Sequence, residues 1–341
     1  MRLQLHQRSA LTRACRSLGM AALIAVTTAS TTHAGHGDPG SLLLCPQFDQ
    51  RPGRMSILSV TNTSSTESVN VEFVYIGRQG PASDCFEFNR IDSMTPGDTF
   101  SAVVSAHNPT HDEGFVYIVA QSATGFQQPI SFNHLLGTMT IIDGINQNSY
   151  EMEALSYLGL TGAGMDTDLD ADGRRDLDGV EYSQVADTIL IPRFMGQSTT
   201  LSSEIILVNL TLTRHATATV DFLVYNDNEE IFSVEYSFNC WDRAPLMDVS
   251  GLFSNDFLSL FTNHAPGEIV GATDQEAGWM RVWGSHAATK LTTVTDPAIL
   301  AVLVESTVNT GTTASLPFEL GLRSSGSLIQ NGLTDLTNKS N

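Results

Sequence analysis

Six aspartates crowd one short stretch, Asp166, Asp168, Asp170, Asp172, Asp176 and Asp178. Counted from Asp168, carboxylates stand at the first, third, fifth and ninth places, and Gly173 holds the sixth. A hard divalent cation such as calcium takes six to eight oxygen ligands from a compact loop, and that loop needs a glycine where it turns sharply. Arg174, at the seventh place, offers a main-chain carbonyl. The twelfth place, where a carboxylate normally closes the ligand set, is Gly179, so Asp178 or Glu181 has to substitute. The candidate ligands are therefore Asp168, Asp170, Asp172, Arg174, Asp176, Asp178 and Glu181, with Ca2+ as the cofactor. Carboxylates spaced this closely repel one another unless a cation intervenes.

No other stretch carries comparable chemistry. His107-Asn-Pro-Thr-His111-Asp-Glu113 gathers two histidines and two acids, but Pro109 makes a turn there, and a polar loop is the simpler reading. A mature terminus at Gly35-His36-Gly37 would offer a weak copper ligand. The chain has no Gly-x-Ser-x-Gly elbow, phosphate-binding loop, His-Glu-x-x-His or dinucleotide fingerprint. Cys240, beside Trp241, reads as core. Carboxylate pairs for glycoside hydrolysis stay open among 37 acidic residues. So do Trp279, Trp283 and Phe126 as stacking surfaces for a glycan.

The elements that would position the acidic loop are strands, arranged as a repeat. Thr188-Ile-Leu-Ile-Pro-Arg-Phe194 returns to the pattern of Ser41-Leu-Leu-Leu-Cys-Pro-Gln-Phe48. Ser56–Thr63 then matches Ser203–Thr211, and Val69–Tyr75 matches Ala218–Tyr225. Phe86–Arg90 falls opposite Asn239–Arg243, and Gly114–Val119 opposite Gly278–Trp283. Five blocks in one order indicate a tandem duplication. The blocks are short, rich in Val, Ile, Phe and Tyr, often alternating, and separated by Asn-, Gly- and Pro-containing turns. In Val69–Tyr75 the alternation predicts a strand buried on one face only. The expected fold is all-β, two tandem antiparallel β-sandwich (Ig-like) domains at 35–160 and 184–319. A Gly/Asp-rich calcium-binding linker at 161–183 joins them, and a flexible tail follows at 320–341. Calcium in that linker would stiffen the joint between the halves. Helix is expected only at Tyr150–Leu158 and within Leu246–Phe261. The recurring Glu72/Asp221 and Arg90/Arg243 suggest a shared structural role such as a cross-strand ion pair.

Residues 1–34 have the three parts of a secretory signal: four arginines and no acid, an apolar run Leu18–Val26, and Thr32-His33-Ala34 at the cleavage site. Removal leaves 13 basic against 37 acidic residues, a charge near −24 where the whole chain carries −20. That charge repels phosphate backbones and argues against a nucleic-acid partner. No segment is long and apolar enough for a membrane span. Export permits disulfides. Of the three cysteines left, Cys45 and Cys85 share a half and form the expected pair, with Cys240 as a buried thiol.

The string Asp168–Leu177 resembles the calcium loops of FG-GAP/VCBS-type repeats and, less closely, those of thrombospondin type 3 and dockerin repeats, with Ala171 where that pattern has its first glycine. The resemblance implies metal binding by Asp168, Asp170, Asp172 and Asp176. It occurs once, so the multi-copy architectures of those families are not implied. As a whole the chain resembles exported bacterial proteins of tandem β-sandwich modules. The expected function is an exported, non-enzymatic calcium-binding protein with a structural, adhesive or ligand-binding role toward an extracellular protein or glycan. The alternative is an extracellular polysaccharide-acting hydrolase or its accessory module with structural calcium.

Overall fold

The apolar runs become strands that pair antiparallel. In the first copy these are β1 (Gly35–His36), β2 (Leu42–Asp49), β3 (Arg54–Asn62), β4 (Val69–Arg78), β5 (Phe86–Met94), β6 (Thr99–Val103), β7 (Glu113–Gln121), β8 (Leu135–Asp143), β9 (Asn148–Glu153) and β10 (Leu155–Tyr157). A short β11 (Arg174–Leu177) follows in the connection. The second copy holds β12 (Thr188–Met195), β13 (Leu201–Asn209), β14 (Thr217–Asn226), β15 (Ile231–Phe238), β16 (Trp241–Pro245), β17 (Ala277–Ala288), β18 (Thr293–Thr295), β19 (Ile299–Thr307), β20 (Gly311–Ser315), β21 (Phe318–Leu320) and β22 (Gly326–Ile329). This computed structural model describes residues 35–80, 85–124, 128–211, 216–226, 228–260, 275–288, 293–307, 311–315 and 317–329. The leader 1–34, Phe126 and the end of the tail lie outside the described residues.

The duplication is explicit in the strand orders. One sheet of the first copy runs β10-β2-β7-β4-β5, and its counterpart runs β21-β12-β17-β14-β15. The other pair runs β6-β3-β8-β9 and β16-β13-β19-β20. Even the helical turn α1 (Val104–His107) after β6 has its equivalent in α2 (Leu246–Val249) after β16. Four of the five sequence blocks fall on equivalent strands. The fifth does not: Phe86–Arg90 lies on β5, whose counterpart is β15, whereas Trp241–Arg243 lies on β16, the counterpart of β6. With 61% strand and 6% helix the all-β class holds. The four large sheets, however, form a four-bladed, propeller-like arrangement rather than two clearly separate sandwiches.

Both prolines sit in bulges. Pairing of β2 with β7 slips between Cys45 and Phe48, and that of β12 with β17 slips between Ile191 and Phe194, so Pro46 and Pro192 occupy positions that need no ladder N–H. Beyond each bulge a phenylalanine faces a glycine, Phe48 opposite Gly114 and Phe194 opposite Gly278. A side chain at Gly278 would meet the Phe194 ring at 2.7 Å and the Tyr225 carbonyl at 2.5 Å, so both glycines of this repeat are fixed by close packing.

Several expectations change. β4 is buried on both faces apart from Asn70 and the terminal Arg78, and Glu72 is only 1% exposed. It is a central strand, covered on each side, and its alternation marks two kinds of buried face. Glu72 stands opposite Ile91 rather than Arg90, and its carboxylate accepts from Gln121. Arg243 pairs with Glu204 instead of Asp221. Tyr150–Leu158 is strand, whereas Leu246–Phe261 does contain α2, a 3-10 turn at Gly251–Phe253 and α3 (Asn255–Ser259). The described part of the expected tail, residues 320–329, belongs to the fold: β22 pairs with β11, and Arg323 and Leu328 are buried.

The halves share one core. Buried apolar side chains form a continuous cluster from Leu42 to Leu328. Trp241 Nε1 donates to the Pro46 carbonyl at 2.8 Å, and Arg243 Nη1 donates to Tyr150 Oη at 3.0 Å, both across the boundary. The disulfide also crosses it, joining Cys85 to Cys240 with Cα atoms 6.4 Å apart. The expected Cys45–Cys85 bridge fails on sheet order. β7 and β4 lie between β2 and β5, so three strand spacings, roughly 14 Å, separate the two positions, beyond the reach of a disulfide. Cys45 is the buried free thiol, its pKa pushed up to about 12 by burial.

Replacing Cys85 and Cys240 by serine should cost about 3–5 kcal/mol of stability, because the bridge closes a long loop and ties two halves. Denaturant unfolding of oxidised wild type and the double variant measures this. Peptide mapping that recovers Cys45 in a disulfide would contradict the pairing.

Candidate functional site

The connection between the copies is stitched down along its length. Ser131 N donates to the Met165 carbonyl and Thr167 N to that of Pro129, which fixes the start of the acidic loop on the first copy. At its far end β11 pairs with β22 of the second copy, and Thr167 Oγ1 meets Tyr182 Oη at 2.7 Å beneath it. The loop is thus held by both halves.

Within it, the aspartates fold the chain by accepting from nearby main-chain N–H groups, as short acidic side chains do in turns. Asp170 Oδ1 accepts from Asp172 N, Asp172 Oδ1 from Arg174 N, and Asp168 Oδ2 from Gly173 N, at 2.8–3.1 Å. Ala171 and Gly173 both take left-handed backbone, at φ 58° and 78°. The resemblance in sequence placed a glycine where Ala171 stands, and the conformation there is one glycine adopts without strain.

Two overlapping clusters result. Asp168, Asp170 and Glu181 bring carboxylate oxygens within 4.8 Å of one another, and so do Asp170, Asp172 and Asp176. These acidic clusters could hold a metal ion. Glu181 is 4% exposed and straps the loop from beneath, accepting from Leu169 N at 2.6 Å and Asp176 N at 3.2 Å. Burial, with Asp176 and Asp168 adding to it, pushes its pKa up to about 7. Burial and the neighbouring aspartates raise Asp176 as well. Asp168 Oδ1 is buried and has no hydrogen-bond partner among the described residues. A buried acceptor without a donor, close to two carboxylates that burial disfavours in their charged form, fits a cation.

The sequence-predicted ligands separate on geometry. Asp168, Asp170, Asp172, Asp176 and Glu181 come together. Asp178 turns away, accepting from Val180 N and Glu181 N, and thereby positions Glu181. The Arg174 carbonyl accepts from the Arg175 guanidinium. Arg175 is the residue that sequence reasoning missed. It is 1% exposed, with Nη1 3.7 Å from Asp168 Oδ2, so the loop rests on a buried positive charge. Both arginines lie in β11, and strand alternation turns Arg175 inward while Arg174 stays half-buried on the other face.

The other candidates are structurally committed. His107 accepts from Tyr75 Oη at Nδ1 (2.7 Å) and donates from Nε2 to Asp92 (2.9 Å). His111 donates from Nε2 to the Phe86 carbonyl at 3.0 Å, and its Nδ1 meets the Asn108 side chain. Neither ring keeps a nitrogen for a metal. Trp279 lies flat on Tyr225 at 3.7 Å, with Arg281 5.8 Å from its ring centroid, so its faces serve cross-strand packing.

A cleft of about 470 Å³ opens between the copies. Asp49, Arg54, Asp143 and Tyr150 of the first copy and Glu204 and Arg243 of the second line it. Arg54 reaches Asp49 at 2.9 Å and Asp143 at 3.2 Å, and Arg243 pairs with Glu204, so each acid of the cleft has an arginine partner. No protein-family model and no curated protein matches the chain.

Burial depresses the pKa of His111 to about 4, against an ordinary value of 6.5. The unfolded chain therefore binds the extra proton first. His111 contributes stability above pH 6.5 that is lost as pH falls toward 4, about 2–3 kcal/mol in all. Urea unfolding across that range should show the loss, and His111→Gln should flatten the slope; an equal slope in the variant would refute the assignment.

Proposed function

We propose that this is an exported, non-enzymatic calcium-binding protein whose duplicated β modules, each read as a sandwich-like pair of sheets, serve a structural, adhesive or ligand-binding role. The observation that carries the reading is the convergence of Asp168, Asp170, Asp172, Asp176 and Glu181 on one loop, with the buried Asp168 acceptor left without a donor. Five hard oxygen donors of this kind suit calcium, and water would complete the shell. Glu181 takes the closing role two places later than usual, which the turn at Asp178–Gly179 permits.

Calcium here acts as a staple. Loop and strap bind the 129–131 segment of the first copy to β22 of the second, while the shared core and the Cys85–Cys240 bridge already fix the halves. The ion then adds stability and does not govern a hinge. Export supplies the oxidising compartment that the disulfide requires, in accord with the leader-like residues 1–34. Among the described residues no helix is long and apolar enough to cross a membrane. The cleft carboxylates give the hydrolase alternative its one foothold, but each is tied to an arginine, and a catalytic pair needs one acid held protonated.

Isothermal titration of calcium into the mature protein should give saturable binding. At about a hundred times Kd the ion should stabilise by about 2.7 kcal/mol and raise Tm by several degrees. Asp170→Asn, which touches both clusters, should weaken binding at least about tenfold. An absence of heat at millimolar calcium would refute the proposal.

A further inference from the structure

We infer that the cleft between the two copies is a binding site for a neutral, hydroxyl-rich ligand, of the chemical class of a mono- or disaccharide. This rests on the ligand-binding branch of the proposed function and gives it a place and a chemistry. The cleft lies on residues that the calcium loop does not use.

Size comes first. A volume of about 470 Å³ falls within the ~300–1,000 Å³ of small-molecule sites. Composition comes next. Ile141 and Leu201 are the apolar lining residues, while the lip is built of hydroxyls and amides such as Asn146, Asn148, Ser198 and Thr200. A mainly polar wall of this kind gives a hydrophobic ligand little to bury against, because apolar affinity scales with apolar area removed from water.

Charge then narrows the class. The floor holds three acids, Asp49, Asp143 and Glu204, against two arginines, Arg54 and Arg243. Every arginine there is already paired with an acid. An anionic ligand would have to break those pairs on a protein of net charge −20. A cationic one would meet guanidinium groups at the floor. Hydroxyls avoid both penalties: each donates to a carboxylate and accepts from a guanidinium, and vicinal pairs match their two-pronged geometry.

The polar floor is also fixed before any ligand arrives. Asp143 accepts from Ile145 N, Asn146 N and Asn146 Nδ2 at 2.9–3.0 Å, which holds its orientation. Tyr150 Oη donates to Gln47 Oε1 at 2.7 Å and receives Arg243 Nη1 at 3.0 Å. Gln47 is fully buried at the Pro46 bulge, so the floor is anchored in the shared core. Side chains held this way lose little entropy on binding, which offsets the modest net gain of each hydrogen bond to a sugar. The equivalent of Gln47 in the second copy is Arg193, exposed and paired with Glu305, so the cleft belongs to the junction and is not repeated.

The experiment is saturation-transfer NMR and titration calorimetry on the mature protein with glucose, mannose, galactose, xylose and their disaccharides, with glucose 1-phosphate as the anionic comparison. At least one neutral sugar should bind. Thr200→Trp, which fills the lip, should abolish that binding, and Asn148→Ala should weaken it about tenfold, both with circular dichroism unchanged. Asp170→Asn should leave it intact, so that loss of calcium binding and loss of sugar binding are read separately. The inference is overturned if no neutral sugar binds at millimolar concentration, if only the phosphate does, or if a bound sugar is indifferent to Thr200→Trp.

Discussion

The indole N–H of Trp241 donates to the carbonyl of Pro46, and much of the molecule follows from that contact. Proline at a bulge takes Pro46 out of the paired register of β2, so its carbonyl is free to face another part of the chain. Trp241, at the start of β16, supplies the donor from the other copy and is 2% exposed. An indole buried this deeply without a partner would cost about 1–3 kcal/mol. Satisfying it fixes how one copy sits against the other. Cys240 is the adjacent residue, so its bridge to Cys85 lies beside the same contact, and Arg243, two residues further on, reaches Tyr150.

Duplication gave both copies the same bulge, but they use it differently. In the second copy Pro192 and Arg193 face solvent, and Arg193 pairs with Glu305. In the first, Pro46 and Gln47 are buried at the junction, where one accepts from Trp241 and the other orients Tyr150. A single inherited irregularity has become a surface feature once and an interface once. The shared core that results explains why β4 is buried on both faces over Val71–Gly77 while its counterpart β14 alternates between buried and half-buried from Val220 to Asn226.

The acidic loop gains its meaning from this rigidity. A linker between two free domains could act as a hinge, and calcium could then set an angle. Here the halves are joined by apolar packing, a disulfide and buried hydrogen bonds, so a cation can add only local order and stability. Its carboxylates are held by main-chain donors and by the strap of Glu181 above the buried Arg175. The protein thus tolerates a dense cluster of negative charge by laying it over a positive one.

Sequence alone determined the local features. The duplicated Pro–x–Phe and glycine positions, the strand composition and the aspartate spacing all depend on near neighbours, and all could be read directly. Spacing was enough to expect Asp168, Asp170, Asp172 and Asp176 near one another, because a tight loop's geometry is set within a dozen residues. Tertiary structure decided everything that required knowing which strands are adjacent. Cys85 chose Cys240 because two strands separate it from Cys45. Glu181 lies beside Asp168 and Asp170 and Asp178 does not, because a turn swung one carboxylate inward and the other onto the main chain. Arg175 became the buried counter-charge because β11 pairs with a strand some 150 residues away. The cleft, too, exists only where the copies meet: its acids and arginines come from strands that share no local pattern, and packing alone brings them together.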